Sequence, residues 1–406
     1  MVAAQAAERV HPAGSPLEVL RAFAKLGVSC FGGPIAHIGY FREEFVVRRR
    51  WLDDEAYADL VALCQFLPGP ASSQVGFSLG LMRAGYLGGL AAWIGFTLPS
   101  AIVLVLFAFG AGALGGPSGA GLLHGLKLVA VAIVSQAVWG MARGMAPDRE
   151  RATIAVIAAL IILFSGSSVA QIGAILIGAV AGFFLCRGDP SASTSRMPVP
   201  ISPRAGLVSL TAFLLLLVGL PALRGLGTSQ GIAEFEAFYR SGALVFGGGH
   251  VVLPLLREAV VAPGWVGDDA FLAGYGAAQA VPGPLFTFAA YLGAVMGPSP
   301  HGVPGAMMAL VAIFLPGMLV LMGTLPFWQA LRGKAAAQAI MRGVNAAVVG
   351  LLGAALYNPV WTSSVKAPGD FGLALTGFVL LTVWRAPPLV VVVFGALGGI
   401  LLSRVY

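Results

Sequence analysis

The sequence predicts an all-α integral membrane protein built from two inverted-topology repeats with broken, re-entrant helices. Three observations carry that prediction: a composition too apolar for water, a set of ordered motifs that recurs near 215 residues later, and one unmatched apolar segment between the two copies.

Composition identifies the solvent. Of the 406 residues 58% are hydrophobic and 10% charged, with a mean hydropathy of +0.89, whereas a water-soluble domain carries about a quarter charged residues. The formal charge of +7 comes from Lys and Arg scattered in short loops between apolar runs. That pattern orients membrane segments and does not suit nucleic acid. Cys30, Cys64 and Cys186 lie in or beside apolar stretches with neither CxxC spacing nor an even count, so no disulfide frame or metal site is expected. The first sixteen residues lack the basic region, apolar run and cleavage site of a secretory signal. No GxxxxGK[ST] occurs, so transport would draw on gradients or on a partner subunit. No HExxH, His cluster or cofactor motif points to an enzyme, and no cofactor is expected.

The repeat is read from five ordered matches. Phe31-Gly32-Gly33 returns as Phe246-Gly247-Gly248, and Arg42-Glu43 as Arg257-Glu258. Trp51 with Asp53 and Asp54 returns as Trp265 with Asp268 and Asp269. Gln65, Pro68, Gly69 and Pro70 return as Gln279, Pro282, Gly283 and Pro284, and Leu98-Pro99 as Leu315-Pro316. The organisation is then a tail over 1–16, a first repeat over 17–186, a polar linker over 187–204, a connecting transmembrane helix over 205–223, and a second, inverted repeat over 224–406. One added crossing between equal repeats turns the second upside down.

Loop charges agree with inversion. Arg42, Arg48, Arg49 and Arg50 crowd the loop after the first FGG, while its partner after the second keeps only Arg257. Segments 17–40, 56–80, 232–256 and 270–296 each contain a Gly-Gly or Pro-Gly-Pro break, so they are expected to dip into the membrane and return. About 9 full crossings remain (86–111, 121–143, 152–165, 169–186, 205–223, 302–328, 336–357, 370–384 and 388–404), or up to 13 segments if the broken ones also cross.

Chemistry is expected where the breaks meet. Non-helical backbone in hydrocarbon is tolerated only against protein or a wet cavity, and a helix start presents free N–H groups and partial positive charge. Breaks from both halves facing one another would form an anion site. Its candidate contacts are Gly32, Gly33, Gln65, Pro68, Gly69 and Pro70, with Gly247, Gly248, Gln279, Pro282, Gly283 and Pro284. Charges in apolar segments add Lys25, Arg240, Arg42 and Arg257. Arg257, on the expected outer side and with a planar fork suited to a tetrahedral oxyanion, is the preferred side-chain contact. Glu43 and Glu258 either pair with those arginines or carry a coupling proton. Lys127, Asp59 and Asn345 are polar residues in apolar runs and are expected to line a cavity.

The stretch FAKLGVSCFGGPIAHIGYFREEFV, followed by RRRWLDDEAY and CQFLPGPASSQVGFSLG, resembles the signature half of the chromate transporter family. FGGGHVVLPLLREAVV and QAVPGPLFTFAAYLGAVMG resemble the second half of its long, two-domain form. The resemblance implies a multi-pass protein of the bacterial inner membrane that exports chromate from the cytoplasm and confers chromate resistance, with sulfate as a competing dianion. The second FGG is followed by Gly249 where the first has Pro34, which argues against equal roles for the halves. Partners are then chromate and the lipid bilayer, without nucleic acid, and a homo-oligomer is compatible with the sequence. The alternatives are a transporter of sulfate or another oxyanion with the same fold, and a gated anion channel.

Overall fold

A computed structural model describes residues 14–31, 33–111, 116–165, 168–186, 200–227, 229–246, 251–328 and 334–403, and every regular element among them is helical. Helix α1 (Pro16–Ser29) starts where Ser15 accepts a hydrogen bond from the Glu18 N–H at 3.1 Å and Pro16 occupies the first turn. It stops at Cys30, whose backbone is extended. Helix α2 (Gly33–Phe41) widens into π-type turns over Arg42–Arg48. Asp53 caps α3 (Asp54–Phe66), accepting from the Ala56 N–H at 2.8 Å. Pro68-Gly69-Pro70 then separates α3 from α4 (Ala71–Ala111).

As expected, 56–80 and 86–111 are separate segments: α4 consists of two helical arms divided where Ala84 and Gly85 leave helical geometry, and residues 56–66 belong to α3. A Cβ on Gly80 would lie 2.3 Å from the Gly88 carbonyl oxygen, so the two arms of α4 fold back closely on one another. Helices α5 (Gly116–Met145), α6 (Arg149–Ser165), α7 (Ser168–Leu185) and α8 (Pro203–Gly225) follow.

A similar order returns as α9 (Gln230–Ala243), then α10 (Val252–Leu256) with a widened turn over Arg257–Val261, then α11 (Asp268–Ala278). After Pro282-Gly283-Pro284 come a 3-10 turn (Leu285–Thr287), α12 (Phe288–Val295), α13 (Gly302–Thr324) and α14 (Ala335–Ala355), which widens over Leu356–Trp361. The described chain ends with α15 (Pro368–Thr382) and α16 (Pro388–Leu402).

By length and composition five helices suffice to cross a membrane: Ala71–Gly110, Gly119–Met145, Pro203–Gly225, Gly302–Phe327 and Ala335–Ser364. Shorter apolar helices cover Ala170–Leu185, Leu285–Val295, Pro368–Thr382 and Pro388–Leu402. Only 6% of the apolar window in α8 is buried, and Leu207, Val208, Leu215 and Val218 point outward, as a lipid-facing helix requires.

Packing exchanges partners along the chain. Helix α1 lies on α4 and α9 on α13, but α5 packs against α15 and α16 while α14 packs against α6 and α7. Glycines set both exchanged crossings: Gly121 and Gly125 meet Gly395 and Gly399, and Gly178 and Gly182 meet Gly343. Small residues four apart let backbones touch where no hydrophobic effect drives helices together. Trp328 Nε1 also donates to Asp59 Oδ1 at 3.2 Å, both residues being buried.

Candidate functional site

The breaks at residues 30–33, 67–70, 244–246 and 279–284 meet in crossed pairs. The Gly69 N–H donates to the Val245 carbonyl at 2.7 Å, and the Gly283 N–H donates to the Cys30 carbonyl at 2.9 Å. Each Pro-Gly-Pro therefore closes on the residue before the FGG of the other stretch. Both glycines have positive φ, +115° at Gly69 and +100° at Gly283, which a side chain rarely adopts. Side-chain space is also absent: a Cβ would lie 2.9 Å from Gly317 Cα at Gly69 and 2.8 Å from Ser100 Oγ at Gly283.

At the pair formed by the first FGG and the second Pro-Gly-Pro lies a cavity of about 60 Å³, room for roughly four waters. Gly33 and Pro34 border it from the start of α2; Gln279, Val281, Gly283 and Leu285 from the break before α12; Gln136 and Ile133 from α5; and Pro388 from α16. Gln279 Nε2 is buried there near the Tyr275 hydroxyl without a hydrogen bond of good geometry, and such an amide donor beside a helix start suits an anionic or hydrated guest. Gln136 Nε2 reaches only the Leu381 carbonyl, at 3.4 Å.

Gln65, the sequence counterpart of Gln279, is exposed on the last turn of α3 and does not share this cavity. Gly69 and Pro70 are buried in the other crossed pair, with Pro68 half-buried beside them, and Pro284 is buried with Pro282 half-buried. Gly32, Gly247 and Gly248 lie outside the described residues.

The candidate cations are all engaged. Arg42 Nε meets Asp54 Oδ1 at 2.7 Å, and Arg257 presents its fork to Asp268, Nε to Oδ1 at 3.0 Å and Nη2 to Oδ2 at 3.2 Å. Each aspartate opens the following helix, where a carboxylate is favoured by the helix dipole. Arg240 Nε meets Glu236 Oε1 at 2.6 Å, and Lys25 Nζ lies 3.6 Å from Glu44 Oε2. Glu43 accepts from Arg48, not from Arg42, at 3.1 Å, and Glu44 from Arg49 at 2.9 Å. A widened turn stacks residues five apart, which explains both partners. Burial alone would raise the Glu44 carboxyl, but Arg49 and Lys25 beside it outweigh that and hold it below the usual carboxylate range. Glu258 is half-buried in the corresponding turn.

Lys127 Nζ meets Asp269 Oδ1 at 2.8 Å, and the half-buried Asn345 keeps a buried Oδ1 without a partner. Cys30, Cys64 and Cys186 are free and buried. Among the described residues no group of three His, Cys, Asp or Glu is placed to hold a metal ion.

A buried polar set surrounds the first Pro-Gly-Pro, and the sequence assigns no role to its hydroxyls or to Gln74. His37 Nδ1 lies 3.4 Å from Ser72 Oγ, and Gln74 Nε2 donates to the carbonyls of Pro68 and Gly317, each at 2.9 Å. Ser73, Gln74 and Thr97 complete the set, each at most 3% exposed.

The family model described as chromate transporter matches this chain twice, over residues 17–183 and 232–400. The chain belongs to the chromate transporter family. This transporter is 29% identical to the chromate transport protein of Pseudomonas aeruginosa, over 96% of this chain and 93% of that protein. It is 25% identical to the chromate transport protein of Cupriavidus metallidurans, over 97% of this chain and 96% of that protein. An uncharacterized transporter of Bacillus subtilis is 34% identical over 40% of this chain and 83% of its own length. No solved structure matches. Membership and the long apolar helices make the chain a multi-pass inner-membrane transporter, of a family consistent with oxyanion efflux.

Proposed function

We propose that this transporter exports chromate from the cytoplasm, taking the dianion at the crossed breaks. The observation that carries the reading is the cavity between the start of α2 and the second Pro-Gly-Pro, with the buried Gln279 amide in its wall. Gly33, Gly283 and Gln279 are its direct contacts, supported by Pro282 and Pro284 and, in the other crossed pair, by Pro68, Gly69 and Pro70. Arg42, Arg257, Lys25 and Arg240 are contacts along the route to the site, each held by a carboxylate that keeps the anion from being trapped there.

The reading also takes residues 17–186 and 224–406 as two inverted repeats, joined by the 187–204 linker and the 205–223 crossing. The paired helix order and the crossed hydrogen bonds support it. Single cysteines placed at 48 and at 264 are then labelled from opposite sides of the membrane by an impermeant thiol reagent. Labelling from one side would end the inverted arrangement.

Direction follows from charge. A dianion leaving a negative interior gains about 4.6 kcal/mol per 100 mV, equivalent to roughly a thousandfold gradient, so export needs no coupling ion. Reconstituted into proteoliposomes, the transporter is expected to move chromate saturably under an imposed potential, without a pH gradient and with weak competition from sulfate. Flux of sulfate without chromate would reassign the substrate, and non-saturable flux would make the protein a channel.

A further inference from the structure

The two stretches differ in what surrounds their breaks. Aligning Phe31 with Phe246, Gly69 with Gly283 and Pro99 with Pro316 equates His37 with Val252, Ser72 with Phe286, Ser73 with Thr287, and Thr97 with Phe314. All eight residues are at most 3% exposed, so the contrast is one of interior chemistry and not of surface drift. In the second stretch the one hydroxyl, Thr287 Oγ1, is spent on the Pro284 carbonyl at 2.7 Å. In the first, His37 Nε2, Ser73 Oγ and Thr97 Oγ1 are buried without hydrogen-bond partners. Orphaned donors at this depth need a reason, because each has given up water for nothing.

Their placement joins them to the cavity. The fold-back at Ala84–Gly85 sets Gly80 against Gly88 and Phe77 against Gly89, and the same register brings the start of α4 level with Phe96 and Thr97. The His37 ring meets the Phe96 ring at 5.1 Å and Ser72 at 3.4 Å. On the cavity side, Gly283 lies against the same turn of α4, a Cβ there being 3.1 Å from the Phe96 carbonyl oxygen and 2.8 Å from Ser100 Oγ. Phe96 thus touches both Gly283 in the cavity wall and His37 of the polar set.

We propose that His37, Ser72, Ser73 and Thr97 form the first half's part of the oxyanion site, holding a tetrahedral dianion with neutral donors at the start of α4; this rests on the oxyanion-export reading above. A chromate or sulfate ion only accepts hydrogen bonds, and hydroxyl and imidazole N–H groups supply what it needs. Neutral donors also suit a carrier, which must release what it binds, whereas a desolvated arginine fork would hold a dianion tightly. The second half then supplies an apolar wall: the Phe286 and Phe314 rings are 5.6 Å apart, and Phe314 reaches Trp93 of α4 at 5.7 Å.

The test is equilibrium binding of radiolabelled chromate to the full-length purified protein, paired with flux in proteoliposomes. Thr97→Val, Ser73→Ala and His37→Leu are expected to weaken binding about tenfold each, the loss of one hydrogen bond to a charged group. Thr97→Ser and His37→Gln, which keep a donor, are expected to stay within about threefold of the parent. Thr97→Val nearly preserves shape, so that comparison stands even if another variant fails to fold. Parent-like binding by all three donor-deleting variants would overturn the assignment and leave the export reading intact. Equal losses in Thr97→Val and Thr97→Ser would overturn it as well, since packing would then be at issue. A parent protein that neither binds nor moves chromate would remove the export reading, and this inference with it.

Discussion

Alanine at Gly69 or Gly283 is expected to reduce chromate flux at least tenfold and to lower the melting temperature of the detergent-solubilised protein. The strain has two sources. Positive φ values of +115° and +100° lie outside the range that alanine adopts comfortably, a cost of about 1–3 kcal/mol. The new methyl also has nowhere to go, being 2.9 Å from Gly317 Cα in one case and 2.8 Å from Ser100 Oγ in the other. Backbone movement to relieve either contact would pull on the Gly69–Val245 or Gly283–Cys30 hydrogen bond. The two variants should nevertheless differ. At Gly69 the obstacle is backbone and cannot move, whereas at Gly283 the nearest atom is a hydroxyl. Adding Ser100→Ala to Gly283→Ala is therefore expected to recover part of the flux, and no second change of that kind should rescue Gly69→Ala. Parent-like flux from both single variants would show that the crossed breaks are not under this constraint.

Valine at Gly343 or Gly399 is expected to destabilise the protein at or above the upper end of the roughly 1–3 kcal/mol that overpacking costs. At Gly343 a Cβ would lie 2.0 Å from the Gly178 carbonyl oxygen and 2.5 Å from Gly182 Cα. At Gly399 the corresponding contacts are 2.3 Å to the Gly121 carbonyl oxygen and 2.5 Å to Gly125 Cα. Neither contact involves a side chain that can rotate away, so the helices must part. Thermal unfolding in detergent reads the effect directly. Valine at Gly219 or Gly353, where a Cβ meets nothing within 4 Å, is the matched control and should unfold near the parent. A shift no larger than the control's would mean that the exchanged crossings bear little of the stability.

Sequence alone located the four breaks because glycine and proline write them: α3 stops at Phe66 and α4 starts at Ala71, on either side of Pro68-Gly69-Pro70. It also placed the connecting helix within two residues of its observed ends, since a run with no charged interruption has few alternatives. Partners were less legible. Arg42 with Asp54 and Arg257 with Asp268 are twelve and eleven residues apart, across a widened turn that no periodicity announces. Gln65 and Gln279 match in sequence and differ in exposure, because only the second is covered by α5 and α16. The hydroxyl set was passed over because Ser and Thr in a helix usually bond to their own backbone. Its signal was present in the alignment of the halves, where Ser72-Ser73-Gln74 stands opposite Phe286-Thr287-Phe288. Helix exchange left only the small-residue spacing at Gly121 and Gly125 and at Gly178 and Gly182, which marks a crossing without naming its partner.

That exchange bears on how such a carrier can move. When two repeats sit side by side, each can rock as a block against the other. Here α5 belongs to a bundle with α15 and α16, and α14 to one with α6 and α7. These bundles are thus of mixed parentage, each built from the closing helices of both halves. A rocking motion that kept the glycine crossings closed would divide the molecule between these two bundles and the central broken helices, so the moving boundary would run through each repeat and not between them.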